Sequence, residues 1–236
     1  GVSMASNAMV PTIIKDMAQT YANFSLSKKP LIHYLSTHLF PMAKTPRKKA
    51  SKKGLILLKA ATLFRQRGFV ATSMRDLAEV VGIEAASLYN HIRSKNEILE
   101  AICFDIANLF NEHLDQLEST KASSIEKIEQ VLRFHIRHMV ENYEQVIVTD
   151  REWRHLDEPF LSNFHTQRRA YRKRLASFIE EGIQKKEIRP IDAPTAVLIL
   201  LHAISGIESW HRSKKKISAR ELEENMLTIL IDGLRK

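Results

Sequence analysis

Two short amphipathic stretches meet at Gly82. The first, from Ser73 to Val81, opens with Ser73-Met-Arg-Asp76, a hydroxyl three residues ahead of an acid. That spacing lets side chains satisfy the free N–H groups at a helix start. Gly82 then offers the positive φ of a tight turn, Ile83 is apolar, and a third short helix is expected at about Glu84 to His91 with Leu88 as its inward anchor. The outer face of that helix is left with Ala85, Ala86, Ser87, Tyr89, Asn90 and His91. A bracing helix, a glycine turn and a small, polar second helix make the helix-turn-helix pattern, in which the second helix reaches into a groove of DNA.

The flanking sequence supplies the remaining helices of such a head. From Ser51, Leu57, Leu58, Ala61 and Phe64 recur at helical spacing, and Gly68 follows as a stop. Ser94-Lys-Asn-Glu97 reads as a full capping box that starts a fourth helix. Beyond Ile98 helical segments are expected over 98–118, 124–143, 144–156, 160–186, 193–212 and 218–235. The breaks between them fall at Ser123-Ser124, Pro159, Pro190 to Pro194 and the Lys214 to Lys216 run. With only 7 Gly and 7 Pro and no sustained alternating β-branched run, turn chemistry for a many-stranded sheet is lacking. The fold class is therefore all-α: a three-helix DNA-binding head on a larger helical body.

Charge is distributed unevenly. The net charge is +9, and Lys44, Arg47, Lys48, Lys49, Lys52 and Lys53 contribute six positives with no acid among them; without them +3 would remain. Directly ahead of the first head helix, this basic arm is placed to reach across a DNA backbone or into the minor groove. The alternative is a solvated tail. Cys103 is the only cysteine, which excludes an internal disulfide and a multi-cysteine zinc site and fits a reducing compartment. No apolar run is expected to approach the roughly 20 residues that span a bilayer, and the start lacks the charged-then-apolar order of a signal peptide. A cytoplasmic protein without membrane contact is expected.

Residues 1–8 read as the remnant of tag removal, with Met9 as the encoded start. Residues 9–43 form an N-terminal extension of unassigned role, 44–98 the DNA-binding domain with its basic arm, and 99–236 an effector-binding and dimerisation domain.

Order and spacing of Ala60, Ala61, Phe64, Gly68-Phe69, Thr72-Ser73, Arg75-Asp76-Leu77-Ala78, Gly82-Ile83, Leu88-Tyr89, His91, Ser94-Lys95, Glu97 and Leu99 resemble the N-terminal domain of the tetracycline-repressor (TetR) family over about 45 residues. The resemblance implies an all-α homodimer bound to an operator in double-stranded DNA, with repression relieved by a small molecule. The positions it implies as DNA-facing are Thr72, Ser73, Arg75, Ala85, Ala86, Ser87, Tyr89, Asn90, His91 and Lys95. Glu84 departs from the family's usual capping Ser or Thr, and Ile92 from its usual Phe. An acid at a helix start suits the dipole, but near DNA it could repel phosphate or select cytosine.

The body yields less. Residues 193–212 are apolar nearly all round, so burial on several sides is expected. That segment and the last helix, with its stripe of Leu222, Met226, Ile229, Leu230 and Leu234, could form a four-helix interface with a two-fold partner. The ending Gly206-Ile-Glu-Ser-Trp210-His-Arg, Ile217-Ser218, Glu221-Leu222 and Gly233-Leu234 is similar to TetR members that respond to acyl-coenzyme A thioesters. A fatty-acid or acyl-coenzyme A effector is what this implies. Candidate pocket residues are Phe104, Phe134, Arg151, Trp153, His155, His202 and Trp210, with Arg154 as a further polar group.

Two alternatives stand beside this reading. One is a TetR-like DNA-binding factor without an effector, which a solid body core would favour. The other is a helical metalloenzyme, because Glu152-x-x-His155 and His135-x-x-His138 put metal-type ligands on one helix face. No second Glu-x-x-His completes a di-iron set, and no catalytic set or cofactor motif is recognisable, so an enzyme is not expected.

Overall fold

The computed structural model describes residues 51–214 and 217–236. The expected extension at 9–43 and the arm residues Lys44, Arg47, Lys48 and Lys49 lie outside them.

Ten α-helices follow one another among the described residues: α1 (Lys52–Arg67), α2 (Met74–Val81), α3 (Ala85–Tyr89), α4 (Lys95–Glu118), α5 (Ser124–Glu141), α6 (Tyr143–Glu152), α7 (Phe160–Gln184), α8 (Ala193–Ser205), α9 (Ile207–Arg212) and α10 (Ala219–Asp232). A 3-10 turn, Trp153–His155, extends α6. The described residues contain no β-strand beyond a single antiparallel bridge between Ile188 and Arg235.

The local signals explain most of the boundaries. Ser73 and Asp76 form the reciprocal capping box of α2, as Ser123 and Glu126 do for α5 and Ser218 and Glu221 for α10. Such caps are worth about 1 kcal/mol each. Gly82 closes α2 with φ 80° and ψ 36°, the left-handed conformation that a Cβ disfavours. Ser94 differs from the expectation of a full capping box. Its Oγ accepts from the Glu97 N–H, but the Glu97 carboxylate bonds the N–H of Arg93 at 2.8 Å rather than that of Ser94. The chain turns sharply into α4, which brings the Arg93 amide within reach of that carboxylate.

Two apolar cores are stacked along the long helices. The head core joins Ile56, Ala60 and Phe64 of α1, Leu77 of α2, Leu88 of α3 and Ile92 to Ile98, Leu99 and Ile102 of α4, Val148 of α6 and Phe164 of α7. The body core gathers Leu114 and Leu117 of α4, Ile128 to Met139 of α5, Ile147 of α6, Tyr171 to Ile179 of α7, and residues of α8 and α10. Helices α4, α6 and α7 each contribute to both cores. A displacement of any of them at one end is therefore felt at the other, because close-packed interiors transmit strain.

The 193–212 segment corrects two expectations. It is long and apolar enough to meet the length and composition test for crossing a membrane, with mean hydropathy 1.3 over an 18-residue window of its 20 residues. It is nonetheless broken at Gly206 into α8 and α9 and packs Ala196, Val197, Leu200, Ile204 and Ile207 into the body core. Nor is it buried all round within one chain: Leu198 and Ile199 are 48% and 60% exposed, and Ile229 on α10 is 73% exposed.

Candidate nucleic-acid interface and ligand cavity

Helix α3 presents one buried residue, Leu88, and an open face. Ala86, Ser87, Tyr89, Asn90 and His91 are exposed and Ala85 half-buried. The helix is shorter than expected, ending at Tyr89, with Asn90 and His91 in the following turn. Two alanines and a serine let a backbone approach a groove floor, while the amide, imidazole and phenol beside them can donate to phosphate or read a base edge. Glu84 occupies the N-cap of α3 but makes no side-chain capping bond, so its exposed carboxylate remains beside that face. Ile92 is fully buried and takes the place of the usual aromatic ring in the head core.

Three of the expected DNA-facing side chains are engaged within the protein. Thr72 is 2% exposed, and its hydroxyl donates to the Gly68 carbonyl at 2.8 Å, closing the turn after α1. The Ser73 hydroxyl caps α2 and bonds the Asp76 carboxylate, which holds that carboxyl below its ordinary range. The Lys95 ammonium donates to the Phe69 carbonyl at 2.7 Å and lies 4.3 Å from the Phe69 ring centroid. Lys95 is therefore a strut between α4 and the loop after α1 rather than a free cation. Arg75, at the start of α2, is exposed. Lys52 and Lys53 are exposed too, with Lys53 paired to Glu97 at 3.2 Å.

The body holds a cavity of about 680 Å³. Its wall takes Ile106, Phe110 and Asn111 from α4, His135 and Met139 from α5, Val146, Thr149, Asp150 and Arg151 from α6, Phe164, Gln167, Arg168, Tyr171 and Arg172 from α7, and Leu198, Leu201 and His202 from α8. Arg154, of the turn after α6, also lines it. Of these arginines, Arg151 bonds Glu208 and Arg168 bonds Asp150 at 3.0 Å, whereas Arg154 lies 4.8 Å from the Trp153 ring centroid. The four guanidinium groups outnumber the two carboxylates that face them, so this side of the cavity attracts anions.

The opposite chemistry prevails around α5. His113, His135 and His138 sit among Phe110 and Phe134, with His113 stacked on Phe134 at 3.9 Å and His135 4.4 Å from Phe110. Burial pushes His135 down to about 3, helped by the neighbouring His113 and His138, and pushes His113 down to about 4. Both imidazoles are neutral near pH 7. His135 Nε2 lies 2.6 Å from the Tyr171 hydroxyl, whose own pKa burial raises. Burial likewise lifts the Cys103 thiol to about 12, which leaves it unreactive.

Of the sequence-predicted pocket residues, Arg151, Arg154 and His202 line this cavity. Phe104 packs on Phe160 and Phe164, and Phe134 on His113. Trp153 lies against Phe164 and His165, His155 stacks on Phe69, and the Trp210 indole donates to the Ile217 carbonyl. Aromatic bulk was a poor guide because large rings fill the core between helices. Missed were Gln167, Tyr171 and the arginines around them. Polar residues interrupting the Phe164-Tyr171 stripe of α7 were the available signal. The metal-type pairs do not converge: Glu152 accepts from the Phe69 N–H at the head-body junction, and His135 faces Tyr171. Among the described residues no three His, Cys, Asp or Glu side chains form a metal-holding group.

Helix α6 connects the two sites. Its cavity side carries Val146, Thr149, Asp150 and Arg151. Glu144 bonds Arg65 of α1, Glu152 accepts from the Phe69 N–H, and His155 stacks on the Phe69 ring.

Comparisons with known proteins agree with this architecture. Residues 56–102 match the profile of bacterial regulatory proteins of the tetR family, and residues 121–234 that of the tetracyclin repressor-like C-terminal domain. The HTH-type transcriptional repressor KstR2 of Mycolicibacterium smegmatis is 27% identical over 192 residues, covering 80% of this chain and 94% of that protein. The fatty acid metabolism regulator protein of Bacillus subtilis is 22% identical over 190 residues, covering 80% and 98%. Among solved structures, the ketosteroid transcriptional regulator KstR2 of Mycobacterium tuberculosis superposes with TM-score 0.73 at 23% identity, covering 79% of this chain and 96% of that one. AibR, in complex with isovaleryl coenzyme A and operator DNA, superposes with TM-score 0.68 at 24% identity, covering 77% and 98%.

Proposed function

This chain belongs to the tetracycline-repressor (TetR) family of transcriptional regulators, and we propose that it is a cytoplasmic homodimeric repressor released from its operator by an acyl-coenzyme A or fatty-acid effector. The observation that carries ligand control is the double role of α6. One side of that helix lines the cavity, and the other holds α1 and the Phe69 loop of the head. A ligand that fills the cavity and shifts α6 changes the placement of α3. DNA and ligand then disfavour each other reciprocally, because each selects a different arrangement of the same helix.

The effector class follows from the cavity's two-sided chemistry. Phe110, Met139, Val146 and Leu201 suit an acyl chain, and the arginine group suits an anionic carrier. AibR, which shares the fold, is described with isovaleryl coenzyme A bound, and that supports the same class here. A regulator with no effector would have a filled body, so a cavity of about 680 Å³ favours the ligand-responsive reading. For the dimer, the apolar faces of α8 and α10 that carry Leu198, Ile199 and Ile229 suit a two-fold partner, since burial of such surface drives association.

Selection of bound sequences from a random DNA pool should return a two-fold symmetric site. Saturating dodecanoyl-coenzyme A should then weaken binding to it at least about tenfold by fluorescence anisotropy. Ligand that binds but leaves operator affinity unchanged would overturn the release mechanism.

A further inference from the structure

The wall of the cavity contains polar groups that an unsubstituted acyl chain would leave without partners. Gln167 and Tyr171 lie four residues apart on α7, hence on one face about 6 Å apart along the helix axis. The Gln167 Oε1 atom is buried and has no hydrogen-bond donor in the protein. The Tyr171 hydroxyl is bonded to His135 Nε2 at 2.6 Å, and both residues line the cavity. Other polar side chains of the same wall are already engaged. Asn111 bonds the Ala107 carbonyl and Arg174, and Thr149 bonds the Ile102 carbonyl. Of the buried side-chain polar atoms without a partner among the described residues, Gln167 Oε1 is the one in this wall, one turn from Tyr171 on α7.

Burying an amide oxygen without a donor costs about 1–3 kcal/mol. A hydrocarbon tail would seal that cost in, whereas a ligand hydroxyl would remove it. The hydroxyl also fits the neighbouring pair. A neutral imidazole has one N–H and one lone pair, so the phenol and His135 can exchange donor and acceptor roles while the phenol oxygen still accepts or its hydrogen still donates. A group that both donates and accepts satisfies Gln167 and Tyr171 together. A ketone, which only accepts, leaves Gln167 Oε1 as it was.

We infer that the effector's acyl part carries a hydroxyl group, recognised by Gln167 and Tyr171, and that these two residues set the selectivity of the cavity. This rests on the acyl-effector reading above and narrows it from acyl compounds in general to hydroxyacyl compounds.

Calorimetric titration of the intact protein with dodecanoyl-coenzyme A and its 3-hydroxy, 8-hydroxy and 12-hydroxy analogues tests the inference, with 8-oxododecanoyl-coenzyme A as a further arm. At least one hydroxylated thioester should bind about tenfold more tightly than the plain one, the effect of one well-made hydrogen bond in a dry site. The oxo compound should gain less. In Gln167→Leu and in Tyr171→Phe the preference should collapse, with thermal melts confirming that both variants are folded. If the plain thioester binds as tightly as every hydroxylated one, the selectivity inference is overturned and the acyl-effector reading stands. If neither the thioesters nor the free dodecanoic and hydroxydodecanoic acids bind, both fall.

Discussion

The DNA-facing head and the ligand cavity are both built from α-helices, yet they differ in how far apart along the chain their working residues lie. The head's open face comes from residues 75–91, whereas the cavity draws on five helices and residues from Ile106 to Ser205. Local contacts specify the first: a capping box at Ser73, the left-handed Gly82 and the buried Leu88 leave little choice about which side chains point outward. The second exists only where α4, α5, α6, α7 and α8 fail to fill the space between them. A groove-reading surface can thus be written into a short stretch, while a cavity belongs to the packing as a whole.

Leu88→Ala is the strongest way to break this comparison. The side chain is fully buried in the head core and is not part of the cavity wall, so its truncation should cost roughly 2–5 kcal/mol in urea unfolding. Operator binding should be lost while titration of the cavity with dodecanoyl-coenzyme A still saturates. Operator affinity within about twofold of the wild type would mean that the head does not depend on its local core.

Acid should act on the body through its buried histidines, whereas in the head the depressed groups are the carboxylates of Asp76 and Glu97. His135 and His113 are held near 3 and 4 in the folded protein, against an ordinary 6.5. Below pH 6.5 the unfolded chain therefore binds protons that the folded chain refuses. Stability should be full above about pH 6.5 and fall as pH is lowered toward 4, with each histidine adding up to one proton to the slope. Unfolding free energies at pH 7, 6 and 5 give that slope, and His135→Phe should reduce it. An unchanged slope would show that His135 is not the group responsible.

The smallest effects sharpen the head itself. Arg75→Ala should lower the slope of log affinity against log salt by about one, as expected for a cation that meets phosphate. Lys95→Ala should leave that slope unchanged and instead cost roughly 1 kcal/mol of stability, because its ammonium holds the Phe69 carbonyl. Equal salt slopes for the two variants would remove the distinction drawn between them.

That distinction also shows what sequence reading of the head leaves open. The family spacing placed Thr72, Ser73 and Lys95 beside the other DNA-facing positions, since spacing carries no information about what a side chain bonds. The Gly68 carbonyl, the Asp76 carboxylate and the Phe69 carbonyl claim those three groups once the loops close. In the body, the expectation that rings line the pocket failed for Phe104, Phe134, Trp153 and Trp210. The interruption of an apolar stripe by Gln167 passed unnoticed for the same reason: helical periodicity assigns a face and does not say whether the facing space is filled.

By itself the sequence determined the all-α class, the order of the helices, most of their starts and stops, and the helix-turn-helix with its exposed α3. These depend on caps, a positive φ and a 3.6-residue repeat, all of which act within a few residues. Tertiary structure alone decided which polar groups are free, where the cavity lies, and that α6 touches both it and the head. Those features depend on the distance between helices far apart in the chain, and no local pattern encodes that distance.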